Sequence, residues 1–305
     1  MRFASLAFVL AVAACASRSP GRGERERPSR SAVREAQERT SRSVARRGRE
    51  KTSIIAGREV IVWAPTTGAA PQPVVVFSHG FHGCATQSRF LTEALAGRGY
   101  WVVAPNHKDA LCSDGAGSGR SDEPLKNPEQ WTDATYADRG EDIRAILRAL
   151  ADSAGIPQRM NLHHLVLVGH SLGGYTVLAL AGGWQSWRIP GVSAVLALSP
   201  YSQPFVVHGT LKNLGAPVMY QGGTRDFGIT PFLRRPGGAF DASPAPKYYV
   251  EFTGAGHFAW TNLNRGTHTL ILQYSLPFVD HYLRGASDEA LKETAPGVSD
   301  LRHVP

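Results

Sequence analysis

The sequence predicts an α/β domain in which a mainly parallel central sheet carries helices on both faces and no large lid domain. Three observations predict it. From Gly57 onward, short β-branched runs alternate with amphipathic helical stretches, the pattern of successive βαβ units. The runs at 74–77 and 165–168 are wholly apolar, as strands buried on both faces are. The 305 residues contain no internal repeat and no second set of elements, and that length suits one large core.

Taken in order, residues 59–63 read as an early strand, stopped by the turn Pro65-Thr66-Thr67-Gly68. A buried strand follows at 74–77. Residues 87–98 have helical periodicity through Phe90, Leu91, Ala94 and Leu95, and Gly99 ends the helix before a strand at 100–104. Residues 105–134 lack periodicity and are rich in Gly, Asp, Ser and Pro; loops of that length in compact domains usually serve function. A helix at 138–150 places Ile143, Ile146, Leu147 and Leu150 on one face. Strands are predicted at 165–168, 192–198, 218–221 and 248–252, then a closing helix at 267–283. Residues beyond it read as a mobile tail containing His303.

The formal charge of +8 is not spread over this domain. Residues 16–51 hold 12 basic against 5 acidic side chains, whereas the 254 residues from Thr52 onward hold 20 of each. Nucleic acid is therefore not an expected partner of the domain. The basic segment has no aromatic residue and reads as a flexible linker. Ahead of it, Arg2 and an apolar run to Ala14 form a signal peptide too short to span a bilayer. Val12-Ala13-Ala14-Cys15 resembles the bacterial lipobox, which makes Cys15 a lipidation site; ordinary secretion is the alternative. The expected organisation is 1–15 leader, 16–51 linker and 52–305 catalytic domain, exported and monomeric, touching a membrane only through the lipid.

The chemistry is concentrated at strand ends. The strand at 165–168 runs into Gly169-His170-Ser171-Leu172-Gly173-Gly174 and then a helix, the G-x-S-x-G pattern in a strand–turn–helix context. A serine at such a turn projects its hydroxyl, and the new helix offers free amides to developing negative charge. Ser171 is the expected nucleophile. His170, adjacent along the backbone, is poorly placed as a base and instead shapes the pocket. Of the later histidines, His208, His257, His268, His281 and His303, only His257 follows a strand through a small-residue loop, Thr253-Gly254-Ala255-Gly256. It is the expected base. Asp226 follows the strand at 218–221 and is preferred over Asp241 and Glu251 as the orienting acid. The oxyanion donors are expected to be the backbone N–H of Leu172 and that of Phe81, in Ser78-His79-Gly80-Phe81-His82-Gly83-Cys84. His79 reads as a structural residue of this loop.

These segments, with Gly223-Thr224-Arg225-Asp226 and Gly256-His257-Phe258, resemble the α/β-hydrolases of the platelet-activating-factor acetylhydrolase and dienelactone-hydrolase-like lineage, which neighbours bacterial cutinases and polyester hydrolases. The resemblance covers roughly residues 57–284 and implies the α/β-hydrolase fold and a Ser-His-Asp triad. Dienelactone hydrolases proper use a cysteine nucleophile, so Ser171 places the chain with the esterases. Phe81 and Tyr201 match aromatic positions of the polyester hydrolases, but Leu172 stands where those have Met and Tyr201 where they usually have Trp. The expected function is hydrolysis of small to medium acyl or aryl esters, without cofactor or metal, with polyester hydrolase or lipase as alternatives and a non-catalytic binding protein as a minor one. Phe81, His170, Tyr201, Phe258 and Trp260 are the expected pocket walls. His107, Lys108 and Asp109 either line that pocket or anchor the loop of Cys112. Cys84 and Cys112 each follow a parallel strand and are expected to pair in an oxidising compartment, with two buried free thiols as the alternative.

Overall fold

The computed structural model describes residues 49–112, 125–156 and 158–305. The leader, Cys15 and the basic segment up to residue 48 lie outside the described residues. The described strands are Arg49–Ile55 (β1), Arg58–Ala64 (β2), Gln72–Ser78 (β3), Trp101–Pro105 (β4), Met160–His170 (β5), Val192–Leu198 (β6), Val218–Gly223 (β7), Lys247–Phe252 (β8) and Val298–Val304 (β9). They form one sheet in the order β1-β2-β4-β3-β5-β6-β7-β8-β9. The six strands from β4 to β8 in that order are parallel, and β1, β2 and β9 pair antiparallel at the two margins. The principal helices are Arg89–Gly97 (α1), Ala137–Asp152 (α2), Leu172–Leu178 (α3) and His268–Arg284 (α4). This is the α/β-hydrolase fold.

Strand alternation divides the core cleanly. Val74, Val76, Leu165, Leu167, Val195 and Ala197 face the layer of α2 and α3, with Ile143, Ile146, Leu150 and Leu178. Val75, Phe77, Val166, Val168, Leu196 and Leu198 face the layer of α1 and α4, with Leu91, Leu95, Ile271 and Phe278. Each central strand is buried on both sides, which is why its sequence is continuously apolar rather than alternating.

Two strands depart from the sequence reading. β1 begins at Arg49, inside the expected linker, and pairs with β2 across a two-residue turn in which Ala56 and Gly57 both have positive φ. Its charge disguised it; Glu50 accepts hydrogen bonds from Trp63 Nε1 and Arg89 Nη2 at 3.2 and 2.9 Å. β9 occupies the expected tail and covers the open edge of β8, with His303 opposite Tyr248.

The chain leaves β3 for β4 on one side and returns as β5 on the other. Between β3 and β5, therefore, two loops diverge at the carboxyl ends of neighbouring strands and leave a crevice. Gly140 of α2 sets a helix spacing on the far side: a Cβ there would lie 2.7 Å from the Trp187 ring. Alanine ordinarily stabilises a helix interior by ~1 kcal/mol over glycine. Here overpacking of about 1–3 kcal/mol reverses the sign, so Gly140→Ala should lower the urea midpoint. A raised midpoint would contradict this packing.

Candidate active site

β5 ends at His170 and α3 starts at Leu172, so the whole reversal is made at Ser171, which has φ 55° and ψ −116°. A non-glycine residue held there is strained, and its neighbours explain how it is accommodated. A Cβ at Gly169 would sit 2.1 Å from the Gly173 carbonyl oxygen, and one at Gly173 would sit 2.0 Å from that of Ser78. Both glycines are thus clearances that let strand, helix and the end of β3 meet at the turn. The turn is pinned by Ser171 N–H to the Leu198 carbonyl at 3.0 Å and by Tyr201 N–H to the Ser171 carbonyl at 3.0 Å.

Ser171 Oγ lies 2.9 Å from His257 Nε2. The other imidazole nitrogen, Nδ1, lies 3.3 Å from both carboxylate oxygens of Asp226. Asp226 is buried, at the end of the turn after β7, and Ser171 is 5% exposed. The three residues singled out in the sequence are therefore brought together in the expected order. A fourth was not anticipated. Ser199, at the end of β6, donates its hydroxyl to Asp226 and stands 3.0 Å from His257 Nδ1. Its position between β5 and β7 at their carboxyl edge was the available signal.

The loop after β3 is held from beneath by a buried ion pair. Arg139 of α2 and Asp109 are both fully buried and bond through Nε–Oδ1 at 2.9 Å and Nη2–Oδ2 at 2.7 Å. The same guanidinium donates to the carbonyls of His79 and Gly80 at 2.8 and 3.2 Å, and Asp109 accepts from His82 N–H at 3.3 Å. The Gly80 carbonyl also accepts from His79 Nδ1 at 2.7 Å and from Gly83 N–H at 2.9 Å. A trans peptide is planar, with C=O and N–H opposed. Three donors on the Gly80 carbonyl therefore turn the Phe81 N–H away from Arg139. Neither Phe81 N–H nor Leu172 N–H, the first amide of α3, donates to a protein acceptor among the described residues.

A second Ser-His-Asp line lies deeper. His107 Nε2 is 3.0 Å from Ser78 Oγ, and its Nδ1 is 3.0 Å from Asp142, which also pairs with Arg58 at 2.6 Å. It has the connectivity of a catalytic triad, but Ser78 is fully buried and His107 is 1% exposed. Its polarity follows from its neighbours: His107 N–H donates to His79 Nε2, so His79 is neutral and carries its proton on Nδ1. Burial, followed by the Arg139 charge, holds both imidazoles well below their ordinary value. Burial alone would raise the Asp109 carboxyl; the Arg139 charge and hydrogen bonds outweigh it and hold it below the usual carboxylate range.

Ser171 and His257, by contrast, line a cavity of about 440 Å3 together with Phe81, His170 and Phe258. Leu111, Leu125, Phe258 and Leu263 stand around it and are 54, 39, 58 and 82% exposed, giving an apolar rim. Two expected wall residues are corrected. Trp260 is fully buried, its ring packed with Phe252 and its Nε1 bonded to Gln221 at 2.9 Å, so it is core. Tyr201 is 3% exposed and absent from the cavity wall; its ring packs on Trp131. In both cases the ring is packed into the protein interior instead of lining the cavity. His107 and Asp109 anchor rather than line. Cys84, on the cavity wall, is joined to Cys112 by a disulfide, as expected.

A Ser-His-Asp arrangement open to such a cavity has the geometry that serine-hydrolase chemistry requires. The comparisons agree at that level. The family model described as serine aminopeptidase, S33, matches residues 69–215. Cutinase est2 of Thermobifida alba is 24% identical over 212 residues, which cover 69% of this chain and 61% of that protein. The chain thus matches less than two thirds of the length of this relative.

Two outcomes are expected from the buried network. Arg139→Met leaves Asp109 buried without its partner and should cost about 3–5 kcal/mol, read by denaturant unfolding; a loss below 1 kcal/mol would mean that the pair is not holding the loop. His79, His107 and His170 are all depressed by burial, His170 to about 3. The unfolded chain protonates these imidazoles below about pH 6.5 while the folded one does not. Stability should therefore fall as pH drops from 7 towards 4, with Asp142, raised by burial, opposing the three. A melting temperature that is flat or rises over that range would contradict it.

Proposed function

We propose that this serine hydrolase cleaves carboxylic esters of small to medium acyl or aryl groups through an acyl-enzyme, with Ser171 as nucleophile, His257 as general base and Asp226 as orienting acid. The observation that carries the reading is the 2.9 Å contact of Ser171 Oγ with His257 Nε2 on the wall of an apolar-rimmed cavity. His257 Nε2 takes the hydroxyl proton as Oγ attacks the ester carbonyl, and Asp226 steadies the imidazolium. The N–H groups of Phe81 and Leu172 receive the negative charge on the former carbonyl oxygen. The imidazolium then protonates the leaving alkoxide, and water repeats the sequence on the acyl-enzyme.

An ester is favoured over a peptide terminus by what surrounds Ser171. The described wall carries Phe81, Leu111, Leu125, Phe258 and Leu263, apolar surface that suits an uncharged acyl or aryl group better than the ammonium group an aminopeptidase must hold. The exposed rim suits an apolar acyl or aryl group, and polyester hydrolysis is the second reading, supported by the likeness to a protein named cutinase and by Phe81 on the wall.

The test compares the two Ser-His-Asp lines. On p-nitrophenyl acetate, Ser171→Ala should reduce kcat by on the order of 10⁴-fold or more, and Ser78→Ala by less than about ten-fold. Hydrolysis of aminoacyl p-nitroanilides should be negligible in the parent protein. Loss of activity in the Ser78 variant with retention in the Ser171 variant would move the site to the buried line.

A further inference from the structure

Between the two loops that flank Ser171 runs a chain of hydrogen bonds not used in the mechanism above. Gly80 N–H donates to Gln87 Oε1 at 3.1 Å, Gln87 Nε2 lies 3.0 Å from His170 Nδ1, and His170 Nε2 lies 2.8 Å from the His257 carbonyl. Its two ends fix the polarity of every link. Gly80 supplies a backbone N–H, which can only donate, so the oxygen of the Gln87 amide must face it and the NH2 must face His170. His257 supplies a carbonyl, which can only accept, so His170 carries its single proton on Nε2 and accepts on Nδ1. His170 is thereby neutral and is 2% exposed.

Other contacts anchor this chain. Gln87 O accepts from Asn262 N–H, Thr86 O from Asn262 Nδ2, and Ser88 Oγ donates to Trp260 O, at 2.8, 2.8 and 2.6 Å. The backbone at Gln87 is therefore fastened to the His257 loop, and only its side chain reaches Gly80. Gly83 leaves it room, since a Cβ there would fall 2.0 Å from Gln87 Oε1.

We propose that Gln87 is a positioning residue whose amide, through His170, locks the loop carrying the Phe81 N–H to the loop carrying His257, so that the oxyanion donor and the base keep one fixed separation across Ser171. The proposal rests on the ester-hydrolase reading of the site. It adds a residue that borders the cavity but acts on the reacting atoms only through His170 and the Gly80 peptide.

Two variants test it, with Ser171→Ala alongside. Gln87→Met keeps the length and loses both bonds; kcat on p-nitrophenyl acetate should fall about 10- to 100-fold with KM within about three-fold. Gln87→Glu can still accept from Gly80, but meets His170 Nδ1 only while a proton is shared between carboxyl and imidazole. The ratio of its kcat/KM to that of the parent should therefore decline about five-fold or more between pH 5.5 and 9, as that proton is lost. His257 and Asp226 are the other titratable groups acting on His170; a carboxylate at 87 favours protonated His257, which lowers the ratio at low pH and so is opposite in sign to the expected decline. A residue that merely fills space would give a ratio that is flat or rises with pH. A flat or rising ratio, or a Gln87→Met kcat within two-fold of the parent, overturns the proposal; should Gln87→Met fail to fold, the Glu ratio decides alone. An active Ser171→Ala would instead overturn the site assignment on which the proposal stands.

Discussion

The buried pair of Arg139 with Asp109 is the interaction on which the architecture of the site depends. Five guanidinium N–H groups are more than one carboxylate can satisfy, and the surplus is directed at the His79 and Gly80 carbonyls. A charge buried this completely persists only if each polar atom around it is answered. That requirement transmits order outward: from α2 to two carbonyls, from the Gly80 carbonyl to the plane of its peptide, and from that plane to the Phe81 N–H. Two neutral imidazoles, His79 and His107, complete the network without adding charge.

The same region explains why two Ser-His-Asp lines coexist less than one strand apart. Ser78 closes β3 and Gly169 lies beside it in β5, so one hydroxyl points into the polar core while Ser171, two residues further, is brought by its turn to the cavity wall. Distance alone does not separate them. Burial and polarity do: the Ser78 line is the more deeply buried of the two and is continuous with Arg58 and Arg139.

Much of this was legible in the sequence because it is local. The G-x-S-x-G turn, the strand ends bearing Asp226 and His257, and the fully apolar β3 and β5 each follow from short-range patterns. The pairing of Cys84 with Cys112 was legible as a choice between two states. What was not legible is long-range. β1 reads as linker because its residues are charged, and those charges have purpose only once Trp63 and Arg89 are near Glu50. β9 reads as tail because a margin strand needs only one apolar face. Arg139 looks like any exposed helix arginine, and Trp260 like a pocket aromatic, until the sheet decides which way each side chain points. Ser199 is a short polar residue beyond a strand end with no pattern of its own, and Gln87 reads as the first residue of the helix at 87–98, which in the structure begins at Arg89.

The interlock of residues 86–88 with 260–262 also has a temporal consequence. The Ser171 turn and the loop after β3 lie in the first 175 residues, whereas His257 arrives 86 positions after Ser171, near the end of the parallel core. Contacts across such separations are the last to be repaid during folding. On a nascent chain, the Ser171 hydroxyl can meet the His257 imidazole only once β8 has docked, so their contact forms after the rest of the parallel sheet has been made.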